Sequence, residues 1–176
     1  MILGLDISTN ITGATVLDGS GKCIYNEFWD TRSKKYFPTQ YHKAVSIRDQ
    51  LIDIKYNFDI NKIFVEEPFM FFNSGGSTAK TMSSLQRFNG MVTWMCFDIF
   101  QTTPEMISSM AARKALGIKV PRGEKAKKKS FDFVVANEPT FIVEYTKNGN
   151  VKPGIMDKSD SWVIAKAGYN LCIVKN

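Results

Sequence analysis

Histidine and cysteine are scarce in this chain: His42 stands alone, and Cys23, Cys96 and Cys172 are odd in number and far apart. A single histidine excludes a His-rich metal centre and a His-dependent triad. Scattered cysteines fit neither a disulfide framework nor a zinc site. No uninterrupted apolar stretch approaches the ~20 residues needed to span a bilayer. Nor does a basic region precede an apolar run and a small-residue cleavage site, so no secretion signal is read. Internal repeats and interdomain linkers are also missing, and the one biased tract is a cluster of lysines. These absences lead us to expect a cytoplasmic protein with no membrane association. At 176 residues, the chain suits one domain, spanning 1–176, that buries roughly 70% of its unfolded surface.

Positive charge is plentiful. The formal net charge is +6 and the isoelectric point is near 9.2, which suggests a polyanionic partner. Lys114, Lys119, Arg122, Lys125, Lys127, Lys128 and Lys129 crowd into one short segment around Gly117 and Gly123. A smaller group comprises Arg32, Lys34 and Lys35.

The chain opens on Ile2-Leu-Gly-Leu5, a strand-like apolar run ending at Asp6. A short turn follows, and Ile11 to Val16 returns as a hairpin strand, with a third strand from Lys22 to Trp29. Tyr41 to Tyr56 has apolar residues at helical spacing. Lys62 to Glu67 is a second buried strand ending in carboxylates, halted by Pro68. After the aromatic, glycine-rich stretch Phe69 to Gly76, a long helix is expected from Ser77 to Phe100. Its stripe of Leu85, Phe88, Val92, Met95 and Ile99 is joined by further apolar residues, so the helix looks buried on more than one side. Pro104 to Ile107 is read as a last strand and Ser108 to Leu116 as a short helix. A mobile basic loop, a lysine-rich helix from Glu124 to Ala136, an extended Thr140 to Tyr145 and a closing helix from Asp157 to Ile173 complete the reading.

The carboxylates form a set. Alone, Asp6 could simply cap a turn, and Asp157 or Asp160 could complement a helix N-terminus. Asp157 and Asp160 share one helical face, however, and repel each other unless a cation lies between them. If the strands ending at Asp6 and Glu66 are neighbours and the last helix crosses them, four carboxylates converge. Oxygen ligands without His or Cys suit Mg²⁺, with Mn²⁺ as a substitute. Two such ions can drive phosphodiester hydrolysis.

The order of these pieces resembles the RuvC-like Holliday junction resolvases of the ribonuclease H-like superfamily. The resemblance rests on Ile2 to Ser8 with Thr12 to Thr15, Ile63 to Phe69, Ser84 to Gly90, Gly123 to Lys125, and Asp157 to Asp160. It implies an α/β ribonuclease H-like fold: a five-stranded mixed sheet, an antiparallel meander plus parallel strands, flanked by helices. It also implies that Asp6, Glu66, Asp157 and Asp160 are catalytic acids holding two Mg²⁺ ions, with Lys125 assisting. Lys114 and Lys125 match family lysines that contact DNA, and Phe69 matches an aromatic that contacts junction bases. Lys119, Arg122, Lys127 and Lys128 are read as backbone contacts.

The expected activity is Mg²⁺-dependent resolution of four-way junctions by paired symmetric nicks. The expected partners are branched DNA and a second copy of the chain, docked through the long helix. The small basic chain would suit a phage or viral member. Two features depart from the bacterial pattern: Ile7-Ser8 after the first aspartate, and the added segment Thr140 to Gly154. The rival readings are a broader nuclease for branches, flaps or RNA–DNA hybrids, and a non-catalytic DNA-binding module.

Overall fold

The computed structural model describes residues 1–68 and 79–174. Five strands make one sheet in the order β3-β2-β1-β4-β5. They are β1 (Ile2–Asp6), β2 (Ile11–Leu17), β3 (Cys23–Asp30), β4 (Lys62–Glu66) and β5 (Glu105–Ile107). The first three strands pair antiparallel as a meander, whereas β4 runs parallel to both β1 and β5. Parallel neighbours need long crossovers. These are supplied by α1 (Gln40–Asn57) between β3 and β4, and α2 (Ala79–Phe100) between β4 and β5. The short α3 (Ser109–Ala115), α4 (Ala126–Asn137) and α5 (Ile155–Val174) follow. This is the mixed, helix-flanked sheet expected from the sequence.

Each face of the sheet carries its own core. Leu3, Leu5, Ala14 and Val16 pack with α1 and α2 residues such as Ile47, Leu51, Phe88 and Val92. Ile2, Leu17, Phe64 and Ile107 pack with α5 residues such as Trp162, Ile164 and Ala165. Successive residues of a strand face opposite ways, so β1 divides between the two cores and is apolar as far as Leu5, as a central strand should be, before it ends at Asp6.

Helix α5 lies very close to the sheet. A Cβ on Gly4 would fall 2.5 Å from the Ala165 nitrogen, and one on Gly13 would fall 2.0 Å from the Asp157 carbonyl oxygen. Gly168 of the helix faces the Phe64 ring with equally little room. The contacts run in order, with Asp157 over Gly13 and Ala165 over Gly4, so the N-terminal turn of α5 lies at the Asp6 end of β1.

Three readings need correction. In α2 the buried residues are Phe88, Asn89, Val92, Cys96 and Phe100, so the buried face is rotated from the expected stripe. Met95 and Ile99 lie at its margin. On α5, helical spacing puts Leu171 on the face of Ile164, Ala167 and Gly168, but Leu171 is exposed. Thr140 to Tyr145 is not a regular strand, since only an isolated bridge joins Tyr145 to Val151. Phe69 and the start of the long helix expected from Ser77 lie outside the described residues.

Candidate active site

The parallel register pairs Leu5 of β1 with Val65 of β4, which sets Asp6 and Glu66 side by side one strand spacing apart, about 4.8 Å. Partners in register face the same way, and here that face carries α5. The N-terminal turn of α5 brings Asp157 and Asp160 to the same end. Thr15 and Asn26 hold this turn in place. The Ser161 hydroxyl lies 2.8 Å from Thr15 Oγ1, while Asn26 Nδ2 donates to Thr15 Oγ1 at 2.7 Å and to the Lys158 carbonyl at 3.0 Å.

The electrostatics match this grouping. Burial pushes Asp6 well above its ordinary value, and the charges of Glu66, Asp160 and Asp157 push it further in the same direction. Burial and Asp160 raise Glu66, while hydrogen bonds with Asp6 and Ser109 pull it back. Asp160 is raised by burial and by Asp157, against the opposing pull of Lys127 and Arg113. Asp6, Glu66 and Asp160 are thus crowded together where negative charge is costly, and the charge of Asp157 adds to the repulsion on Asp6 and Asp160.

Lys127 answers part of that charge. Its ammonium sits 2.9 Å from Asp160 Oδ2. Burial alone would lower it, yet Asp160, Asp157 and Asp6 together hold it above the usual lysine range. From the sequence, Lys127 is expected among the backbone contacts and Lys125 at the catalytic centre. Lys125 instead occupies the N-cap position of α4 without a side-chain capping bond and is exposed. Two residues on, Lys127 falls on the α4 side that meets the acids.

These groups line a cleft of about 550 Å³ whose walls include Asp6, Glu66, Ser109, Arg113, Lys127 and Asp160. Ser109 and Arg113 had not been singled out. No motif marks them, because their relevance comes only from α3 starting directly after β5 beside Glu66. Glu67 is also on the cleft wall but is exposed, with its backbone nitrogen bonded to the Ile107 carbonyl. Among the described residues, no three or more His, Cys, Asp or Glu side chains are placed so that they could hold a metal ion as they stand.

A second, shallower cleft of about 450 Å³ borders the first and shares Arg113 with it. Lys114 and Lys119 form its basic walls beside Met110, Ile118 and Val120. Arg122 is exposed in the loop before α4. Lys128 and Lys129 pair with Asp132 and Glu124, so much of their charge is already answered within the protein. Phe69 lies outside the described residues.

No protein-family model matches the sequence, and no curated protein matches it significantly. Solved structures do match. Thermus thermophilus RuvC in complex with a Holliday junction substrate superposes with a TM-score of 0.67 at 14% identity, covering 98% of this chain and 94% of that one. Another Thermus thermophilus RuvC structure gives a TM-score of 0.65 at 16% identity over 99% and 96% of the two chains. The yeast mitochondrial Holliday junction resolvase Ydc2 gives 0.57 at 13% identity, over 96% of this chain and 77% of that one. With its meander, its parallel pair and its crossing last helix, the chain has the fold of the RuvC-like Holliday junction resolvases, a ribonuclease H-like fold.

Proposed function

We propose that this protein is a metal-dependent, structure-selective DNA endonuclease that resolves four-way junctions by paired symmetric nicks. The observation that carries this reading is the gathering of Asp6, Glu66, Asp157 and Asp160 at one end of the sheet, with Asp6, Glu66 and Asp160 lining a cleft that borders a basic surface of Arg113, Lys114 and Lys119. The structural match to RuvC bound to a junction supports the choice of substrate.

In kind the donors suit a hard divalent cation, although among the described residues their side chains are not gathered into a ligand set. They offer carboxylate oxygens only, and burial together with mutual repulsion leaves those oxygens in need of positive charge. Asp6, Glu66, Asp157 and Asp160 would hold Mg²⁺, or Mn²⁺ in its place. When bound, the metal would supply Lewis-acid activation of water and charge neutralisation at the phosphate.

The chain's own residues do the rest. The acids fix the reacting end of the site between β1, β4 and α5. Lys127 and Arg113 aim positive charge into the cleft, where negative charge grows on the phosphoryl oxygens during attack. Water adds across the P–O3′ bond, leaving a 5′-phosphate and a 3′-hydroxyl. Lys114, Lys119, Arg122 and Lys125 bind backbone phosphates, with Lys128 a weaker contributor because Asp132 engages it. Phe69 is proposed to stack on bases opened at the crossover.

Two equivalent cuts need two sites related by a two-fold axis, which a homodimer provides. Helix α2 is the proposed interface, since it exposes Trp94 and Phe97 opposite its buried face.

The test is cleavage of an immobile four-way junction with Mg²⁺, beside duplex and flap DNA. Asp6→Asn should lower cleavage by roughly a thousandfold or more while leaving junction binding intact. Lys127→Ala should slow cleavage by about ten- to a hundredfold, and Lys125→Ala should chiefly weaken binding. Flaps and junctions cut alike would replace the reading with a general branch nuclease. Tight binding without cutting in either metal would leave a DNA-binding module.

A further inference from the structure

We propose that the segment joining β3 to α1, carrying Arg32, Lys34, Lys35 and Tyr36 with Lys43 beside it, is a second DNA-backbone surface. It would seat a duplex arm on the side of the acids away from the lysine-rich segment. This rests on the nuclease reading and extends it to a part of the molecule that the active-site cleft does not include.

Position is the first argument. The segment is tied to the β1–β2 turn that follows Asp6. The Thr31 nitrogen donates to the Asn10 carbonyl at 2.8 Å, and Lys43 Nζ donates to the Thr9 carbonyl and to Asn10 Oδ1. Arg32 pairs with Asp30 at 2.6 Å. The guanidinium is held above its ordinary value first by that bond and also by the charge of Asp157. Arg32 is therefore within the electrostatic reach of Asp157.

Topology is the second. In the order β3-β2-β1-β4-β5, the central strand carries Asp6, and the two edge strands lead into the two basic segments. Four strand spacings of about 4.8 Å separate those edges by roughly 19 Å. At about 3.4 Å per nucleotide, that distance spans five or six phosphates of one strand. A backbone whose scissile phosphate lies over Asp6 would thus reach both basic segments, a few nucleotides away on either side.

Chemistry is the third. Lys34 and Lys35 are exposed, and no ion pair engages either among the described residues. The nearby acids Asp30 and Asp49 are bound to Arg32 and Arg48. Tyr36 and Tyr41 are 67% and 74% exposed, and the Lys35 ammonium lies 5.5 Å from the centre of the Tyr36 ring. Lysine is depleted at the centre of protein–protein interfaces, whereas unpaired lysines beside exposed rings suit a polyanion with flat bases and sugars.

The experiment uses the full chain with Lys34→Ala/Lys35→Ala and with Lys34→Glu/Lys35→Glu. Affinity for a four-way junction is measured against salt in EDTA, and cleavage in Mg²⁺ at saturating protein. The alanine pair should weaken binding about tenfold near 0.1 M salt and reduce the log–log salt slope by about two. Charge reversal should weaken binding further. The saturated cleavage rate and the melting temperature should not change, which separates loss of contact from loss of fold. Wild-type affinity and slope in both variants would overturn the proposal and leave the nuclease reading standing. A wild type with no affinity for any branched DNA would overturn both.

Discussion

At the scale of single residues, Asp6 sets the properties of the cluster. Its carboxyl is held well above the ordinary 3.8, first by burial and then by Glu66, Asp160 and Asp157. A raised native value means that the folded state binds this proton more tightly than the unfolded state. Its contribution to stability is therefore greatest at low pH and is lost as pH climbs from the ordinary value towards the raised one. With a chelator present, Asp6→Asn should raise the melting temperature at pH 7, and the gain should vanish near pH ~4. Equal melting temperatures at both pH values would contradict a buried, mutually repelling set of acids. Asp6, Glu66, Asp157 and Asp160 could be picked from the sequence because each ends a strand or opens a helix. Lys127 could not be told from Lys125 that way. Which lysine faces Asp160 depends on where α4 begins, and a boundary shift of two residues turns a helix by about 200°.

Among the elements, α5 is the one whose placement decides the site. Gly4, Gly13 and Gly168 let helix and sheet backbones approach without an intervening side chain. Gly13→Ala would press a methyl group into the Asp157 carbonyl. Unfolding free energy should fall by roughly 1–3 kcal/mol, and cleavage should fall further than lost stability explains because the first turn of α5 must shift. Gly19→Ala meets no atom within 4 Å and is the matched control, read out by denaturant titration beside the nicking rate. The strands and helices were legible from alternation, helical spacing and the stops at Pro68 and Gly154. The facing of α2 was less so. Its apolar residues cover so much of the helix that periodicity alone cannot choose between the Val92–Cys96–Phe100 side and the Met95–Ile99 side; contact with α1 decides it. Phe141 shows a different limit. It is buried in an edge contact with Phe131, so packing anchors the start of Thr140 to Tyr145, while a single bridge to Val151 holds its end.

For the whole molecule, a net charge of +6 predicts that the proposed DNA binding weakens steeply as salt rises. Charge does not determine assembly, for which the exposed rings of α2 are the candidates. Trp94 and Phe97 are 63% and 47% exposed, so Trp94→Glu/Phe97→Glu should leave the fold intact. Light scattering should show a shift from dimer to monomer, and junction cuts should become unpaired single nicks. A wild type that is monomeric at high concentration would refute the interface. The acids also have a temporal consequence. Asp6 and Glu66 lie in the first half of the chain, while Asp157 and Asp160 arrive on α5. A ribosome therefore exposes half of the cluster well before the rest has been made. Until α5 has been made and docks, the nascent chain lacks two of the four acids and the helix that covers that face of its sheet, so the cluster cannot assemble before then.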